Sequence, residues 1–320
     1  MKAAVHRILI GILLVLVLAA ACAYTLLPHQ AAAFILAMGH AAAGLEARSV
    51  DVMGFRIRYL DGGKGEPLIL LHGIGADKDN WLYTSVLLAR HYRVIAVDLP
   101  GFGESSKPAA AHYGVEAQVE RLHAFMQALR IRRAHFGGNS MGGLIAAVYA
   151  ARYPDEVESL WLLDPPFVQG AKPSEMIERI LGGDHIPLFA STIAQFDQVL
   201  DFVMVHPPFM PSPVKRVLAE RQVDNYALNV QIFKELSGQP MALERTLAGL
   251  RIPTLIVWGD RDRVLDVSSA AILHQVLPRS RVIIMRGIGH VPMVEAPYRT
   301  ARDYIAFRHG LERAQDGSIR

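Results

Sequence analysis

From Arg48 onward, short apolar runs alternate with longer amphipathic stretches. Val50–Met53 and Phe55–Tyr59, separated by Gly54, read as a β-hairpin. Pro67–Leu71, Tyr92–Val97, Ala134–Phe136, Ser159–Leu163, Thr254–Trp258 and Arg281–Met285 are short, often β-branched runs. Such runs suit strands buried on both faces of a parallel sheet. Between them the 3.6-residue period predicts helices over Trp81–Arg90, Val115–Leu129, Gly142–Tyr153, Val267–Leu277 and Pro297–Arg308. Strand–helix alternation predicts an α/β layer fold with a mostly parallel central sheet and helices on both faces.

One interval breaks the alternation. Between Pro165 and Leu250 there is no convincing strand pattern but several helical stretches rich in Phe, Met and Pro, stiffest at His206-Pro207-Pro208-Phe209-Met210-Pro211-Ser212-Pro213. Lying between two sheet strands, it reads as a cap over a catalytic face, and its apolar character fits an acyl or other hydrophobic substrate. The expected organisation is a core over 48–165 and 251–310, a helical cap over 166–250 and a tail over 311–320.

The amino terminus follows a different rule. Lys2, His6 and Arg7 precede an apolar run from Ile8 to Leu27, closed by Pro28. About 20 apolar residues suffice to span a bilayer. Basic residues before the run, with none after it until Arg48, orient the amino terminus to the cytoplasm and the rest to the far side, periplasmic in a bacterium. Residues 1–28 thus read as a retained single-pass anchor. A cleaved signal peptide ending at Ala21 or Ala23, giving a secreted protein, is a second reading. A lipoprotein acylated at Cys22 is a third, with Ala19 standing where such signals usually carry leucine. Residues 29–47 read as a linker or a helix on the membrane or protein surface.

Composition bounds the rest. With 320 residues, 52% hydrophobic and 20% charged, the chain has ample apolar side chains for a large core. A net charge of +3 with basic residues scattered, apart from Arg130, Arg132 and Arg133, gives no footprint for nucleic acid. Cys22 is the one cysteine, so no disulfide forms within the chain. The histidines lack zinc-ligand spacing, so no metal is expected. Gly101-Phe102-Gly103-Glu104 lacks the third glycine of a dinucleotide loop, so no organic cofactor is expected either. Oligomeric state is not encoded in any feature of the chain.

Gly138-Asn139-Ser140-Met141-Gly142 fits G-x-S-x-G, directly after an apolar strand and before a helix. In that context the motif is a nucleophile elbow, holding serine on a sharp turn. A serine hydroxyl needs an adjacent base oriented by an acid. His290 follows the last predicted strand, and Asp262 follows the strand Thr254–Trp258. Ser140, Asp262 and His290 therefore come in the order Ser…Asp…His, each at the carboxyl end of a different strand. Asp164, ending Ser159–Leu163, is a rival acid, whereas Asp260 and Asp266 read as loop or capping residues. Two backbone N–H groups should receive the oxyanion, that of Met141 after the nucleophile and that of Ile74 in His72-Gly73-Ile74-Gly75. Asp98 and His72 read as braces of their loops.

These motifs resemble the serine hydrolases of the α/β-hydrolase superfamily from about Val50 to Phe307. The carrying residues are His72-Gly73-Ile74-Gly75, Asp98-Leu99-Pro100-Gly101-Phe102-Gly103, Gly138–Gly143, Trp258-Gly259-Asp260-Arg261-Asp262 and Gly289-His290. Asp262-Arg263-Val264-Leu265-Asp266-Val267-Ser268, Tyr149–Pro154 and the membrane segment are similar to the membrane-anchored monoacylglycerol lipases and related bacterial lipases and esterases. That resemblance implies hydrolysis of carboxylic esters of glycerol or similar lipids, without metal or cofactor. A second resemblance, carried by Gly138–Gly143, is to C–C bond hydrolases of aromatic meta-cleavage products. Those usually have Gly-Pro-Gly in the oxyanion loop and Trp after the histidine, where this chain has Gly73-Ile74-Gly75 and Val291.

Overall fold

The computed structural model describes residues 5–6, 9–13, 24–238 and 241–317. Eight strands form one sheet: β1 (Leu45–Val52), β2 (Phe55–Gly62), β3 (Pro67–Leu71), β4 (Arg93–Val97), β5 (Ala134–Asn139), β6 (Val157–Leu163), β7 (Thr254–Gly259) and β8 (Ser280–Met285). Their spatial order is β1-β2-β4-β3-β5-β6-β7-β8. The β1–β2 and β2–β4 pairings are antiparallel and all others parallel. This is an α/β-hydrolase fold. The hairpin is longer than the sequence pattern predicts because Leu45–Ser49 keeps pairing with Arg58–Gly62 although most of β1 faces solvent on both sides. Its turn is Met53-Gly54, both at positive φ (50° and 80°), as a two-residue hairpin loop requires.

Helices cover both faces. Those used below are α1 (Pro28–Ala42), α2 (Leu82–Leu88), α3 (Val115–Ala128), α4 (Met141–Arg152), α5 (Glu175–Leu181), α6 (Gln195–Val203), α7 (Ser212–Asp224), α8 (Tyr226–Ser237), α9 (Ser268–Val276) and α10 (Pro297–Gly317). Apolar faces of α3, α4 and α9 pack on one side of the sheet, and those of α2 and α10 on the other. On the second side Trp161 of β6 stacks on Tyr304 of α10 at 4.4 Å between ring centroids. The final helix runs to Gly317, beyond the Arg308 at which its pattern fades, with Leu311 still packed on the core.

Between β6 and β7 the described residues form helices and no strand. Helix α6 has a strongly one-sided apolar face, with Phe196, Val199 and Phe202 buried, and α7 runs into α8 at Asn225. The amino-terminal helix α1 packs against α7, and the Tyr24 hydroxyl accepts from Ser212 N at 3.0 Å. Phe34 and Met38 on α1, and Leu26 and Leu27 before it, stay exposed. Among the described residues no helix is long and apolar enough to cross a membrane. Most of the Ile8–Leu27 run, with Ala21, Cys22 and Ala23, lies outside the described residues.

Candidate active site

The site grows from the centre of the sheet. Strand β5 is buried along its whole length between β3 and β6. Ser140, the next residue, adopts φ 52°, ψ −120°, a conformation costly for a residue with a side chain. Neighbouring glycines permit it. A Cβ at Gly138 would strike the carbonyl of Gly142, and one at Gly142 would strike the carbonyl of Leu71. Ser140 N donates to Leu163 O at 2.8 Å, pinning the turn to β6. Met141 opens α4, whose first N–H groups have no intrahelical acceptor. Ile74 N, in the loop after β3, also donates to no acceptor among the described residues. Ile74 and Ser140 line the same cavity.

His290 lies in the loop after β8, and its ring Nδ1 donates to Asp262 Oδ2 at 2.8 Å. Asp262 follows β7 with its side chain fully buried. Its other oxygen, Oδ1, accepts from Val264 N at 2.8 Å and Leu265 N at 3.0 Å. Three donors thus hold the carboxylate in one orientation. Asp260 and Asp266 are occupied elsewhere, accepting from Gly287 N at 2.7 Å and Ser268 N at 2.9 Å.

Asp164 also converges on this point. It is completely buried at φ 48° and accepts from Gly259 N at 3.0 Å through Oδ1, while Oδ2 has no partner among the described residues. Burial and the facing Asp262 carboxylate push its pKa well above the usual carboxylate range. Asp164, Asp262 and His290 offer ligand atoms within 4.8 Å of one another. However, Asp262 is committed to His290 and two amides, and burial disfavours the charged form of Asp164, which is a poor donor set for a cation.

Two supports were not legible in the sequence. Asn139 Nδ2 donates to His290 O at 2.9 Å, tying the elbow to the histidine loop. His290 N donates to Val203 O at 2.8 Å, so the end of α6, between β6 and β7, holds the same loop. Asn139 sits at the variable position of the motif, and nothing in its neighbours marks it. The braces are plainer. His72 donates from Nδ1 to Gly73 O at 2.7 Å and accepts from Leu99 N through Nε2 at 3.0 Å, which fixes the neutral tautomer. Burial lowers its pKa to about 4. Asp98 accepts from Lys78 N, Lys78 Nζ and Glu104 N at 2.7, 3.1 and 2.8 Å.

A strained serine beside two free amides, with a buried Asp–His pair converging on the same cavity, is the arrangement of an α/β-fold serine hydrolase. The chain belongs to the alpha/beta hydrolase fold family, whose sequence profile matches residues 66–297. It is 41% identical to Lipase 3 of Moraxella sp. (strain TA144) over 275 residues, covering 84% of this chain and 86% of the lipase. It is 28% identical to the monoacylglycerol lipase ABHD6 of Homo sapiens over 287 residues, covering 84% of this chain and 85% of that protein. A solved structure described as a membrane phospholipase A, a novel bacterial virulence factor, superposes with a TM-score of 0.87 at 46% identity, covering 96% of this chain and 99% of that one. Family and relatives make the chain a carboxylic ester hydrolase.

Proposed function

We propose that the chain hydrolyses carboxylic esters of lipids, monoacylglycerols foremost, through an acyl-enzyme on Ser140. The observation that carries this reading is the 2.8 Å bond from His290 to the buried Asp262 carboxylate, converging on the cavity that exposes Ser140. His290 takes the proton of Ser140 as its Oγ attacks the ester carbonyl. The Ile74 and Met141 amides receive the oxyanion, and His290 returns the proton to the departing alcohol. Water, deprotonated by His290, then releases the acid. Asp262 holds the tautomer and stabilises the imidazolium. Phe196, Val199, Leu200 and Val203, at i, i+3, i+4 and i+7 on α6, give the acyl chain an apolar wall.

The amino-terminal run anchors the enzyme on this reading, placing the cap where lipid esters partition. The membrane phospholipase neighbour supports an association of this kind. The C–C hydrolase alternative is not favoured, since the relatives at 41% and 28% identity described above are lipases and Ile74 and Val291 depart from that family's pattern. The deciding experiment is hydrolysis of monoacylglycerols across a series of acyl lengths, with Ser140→Ala as control. Serine-dependent turnover with a chain-length optimum is the expected result. Fluorophosphonate labelling of Ser140 without turnover of any ester would reject the substrate class and redirect the search to ring-fission products.

A further inference from the structure

The cavity at Ser140 has two dissimilar walls. On the His290 side it is formed by α6 with Val291 and Val294, and is apolar. On the side of the loop after β3, Asp77 and Asn80 face Arg221, Asn225 and Asn229 of α7 and α8. Arg221 stands on α7, Asn225 at the junction and Asn229 on α8, and all three line the cavity.

Asn229 is the pointed observation. It is 2% exposed and lines the cavity, yet its carboxamide has no hydrogen-bond partner among the described residues. What accessibility the residue keeps is toward the cavity, where a ligand atom would be the partner its carboxamide lacks. Asn80 has no side-chain partner among the described residues either. Asn225 gives Nδ2 to Arg221 O at 2.7 Å, which leaves its carbonyl oxygen free. The one cation on this wall is already engaged. Arg221 pairs with the buried Asp77, and Asp98, Glu104 and Asp79 add to the negative field around its guanidinium. The wall therefore offers neutral donors and acceptors and no unbalanced positive charge.

We infer that this wall is a subsite for an uncharged, hydroxyl-bearing alcohol group of the ester, such as glycerol, held by the carboxamides of Asn229, Asn225 and Asn80. The inference rests on the ester-hydrolase reading above and adds which residues hold the alcohol group and select it. The leaving oxygen sits between Ser140 and His290, where the walls meet, and the hydroxyls beyond it turn onto the carboxamides. A phosphodiester in the same place would meet a guanidinium already paired with the Asp77 carboxylate that lines the same wall.

The test uses the full-length protein in detergent and three esters of one acyl chain, those of glycerol, of methanol and of glycerophosphoglycerol. Rates are expressed per fluorophosphonate-titrated site, so that misfolded protein does not count. The wild type should prefer the glyceryl ester to both others. Asn229→Leu should lower the glyceryl-to-methyl ratio of kcat/KM about tenfold, the loss of one hydrogen bond to substrate. Asp77→Asn, which uncovers Arg221, should shift preference toward the phosphoglyceryl ester. If Asn229→Leu yields no titratable protein, Asn80→Leu is read by the same ratio. An unchanged ratio in the variant, or a wild type that prefers the phosphoglyceryl ester, overturns the subsite and leaves the esterase standing. Failure to cleave any of the three by a fully labelled enzyme overturns the esterase reading, and the subsite with it.

Discussion

The proposed nucleophile, Ser140, and its proposed base, His290, are held by different kinds of force. Ser140 is fixed by sterics: a buried strand, glycines whose absent side chains let backbones touch, and the start of a helix. His290 is fixed by hydrogen bonds drawn from distant parts of the chain, namely Asp262 to its ring, Asn139 to its carbonyl and Val203 of the cap to its amide. A steric constraint fails abruptly and takes the fold with it. A hydrogen-bonded one fails by degrees and shows first in rate.

The sharpest break of the polar side is Asp262→Asn, expected to lower kcat by about 10⁴-fold with little change in thermal midpoint. Ester turnover of the purified variant checks this. A loss of tenfold or less would hand the acid's role to Asp164, and the Asp164→Asn/Asp262→Asn double variant would then show the large loss. On the steric side, Gly138→Ala should cost roughly 3 kcal/mol of stability, since the new Cβ meets backbone that cannot move aside. Urea unfolding measures it, and a loss under 0.5 kcal/mol, taken as a rough error limit, would mean that the elbow relaxes. Asn139→Ala should be milder, lowering kcat by roughly tenfold while fluorophosphonate-reactive Ser140 remains, because one hydrogen bond of about 1–1.5 kcal/mol is lost. Equal losses at Gly138 and Asn139, in both rate and stability, would erase the distinction.

The smallest effect at working pH separates the two sides by titration. His72 and His135 are buried neutral, with pKa values lowered to about 4 chiefly by burial. A depressed histidine contributes stability that is fully present above its unfolded pKa, near 6.5, and is lost as pH falls toward the folded value. Each should cost roughly 3 kcal/mol by pH 4. Midpoints measured from pH 7 to pH 4 should therefore fall steadily, and His135→Gln should flatten part of that slope. A midpoint independent of pH over this range would mean that these imidazoles are not buried neutral in solution.

Much of the fold was legible because the signals are local. Buried parallel strands need unbroken apolar runs, helices need a 3.6-residue period, and β3 through β8 with α3, α4 and α9 lie close to where those patterns put them. The G-x-S-x-G context likewise marked Ser140, since only glycine tolerates the contacts on either side. Strand β1 was legible in part, its first half being exposed on both faces and carried by pairing with β2.

The sequence alone determined the strand–helix order, the elbow and the set of candidate acids and bases, because each rests on chemistry within a few residues. Only the tertiary structure shows which of them meet. It gave Asp262 the bond to His290 and left Asp164 buried beside it, brought Asn139 and Val203 onto the histidine loop, and set an apolar wall of α6 against a carboxamide wall of α7 and α8. Those contacts join residues 28 to 151 positions apart along the chain, and their partners are chosen by packing, which no local pattern encodes.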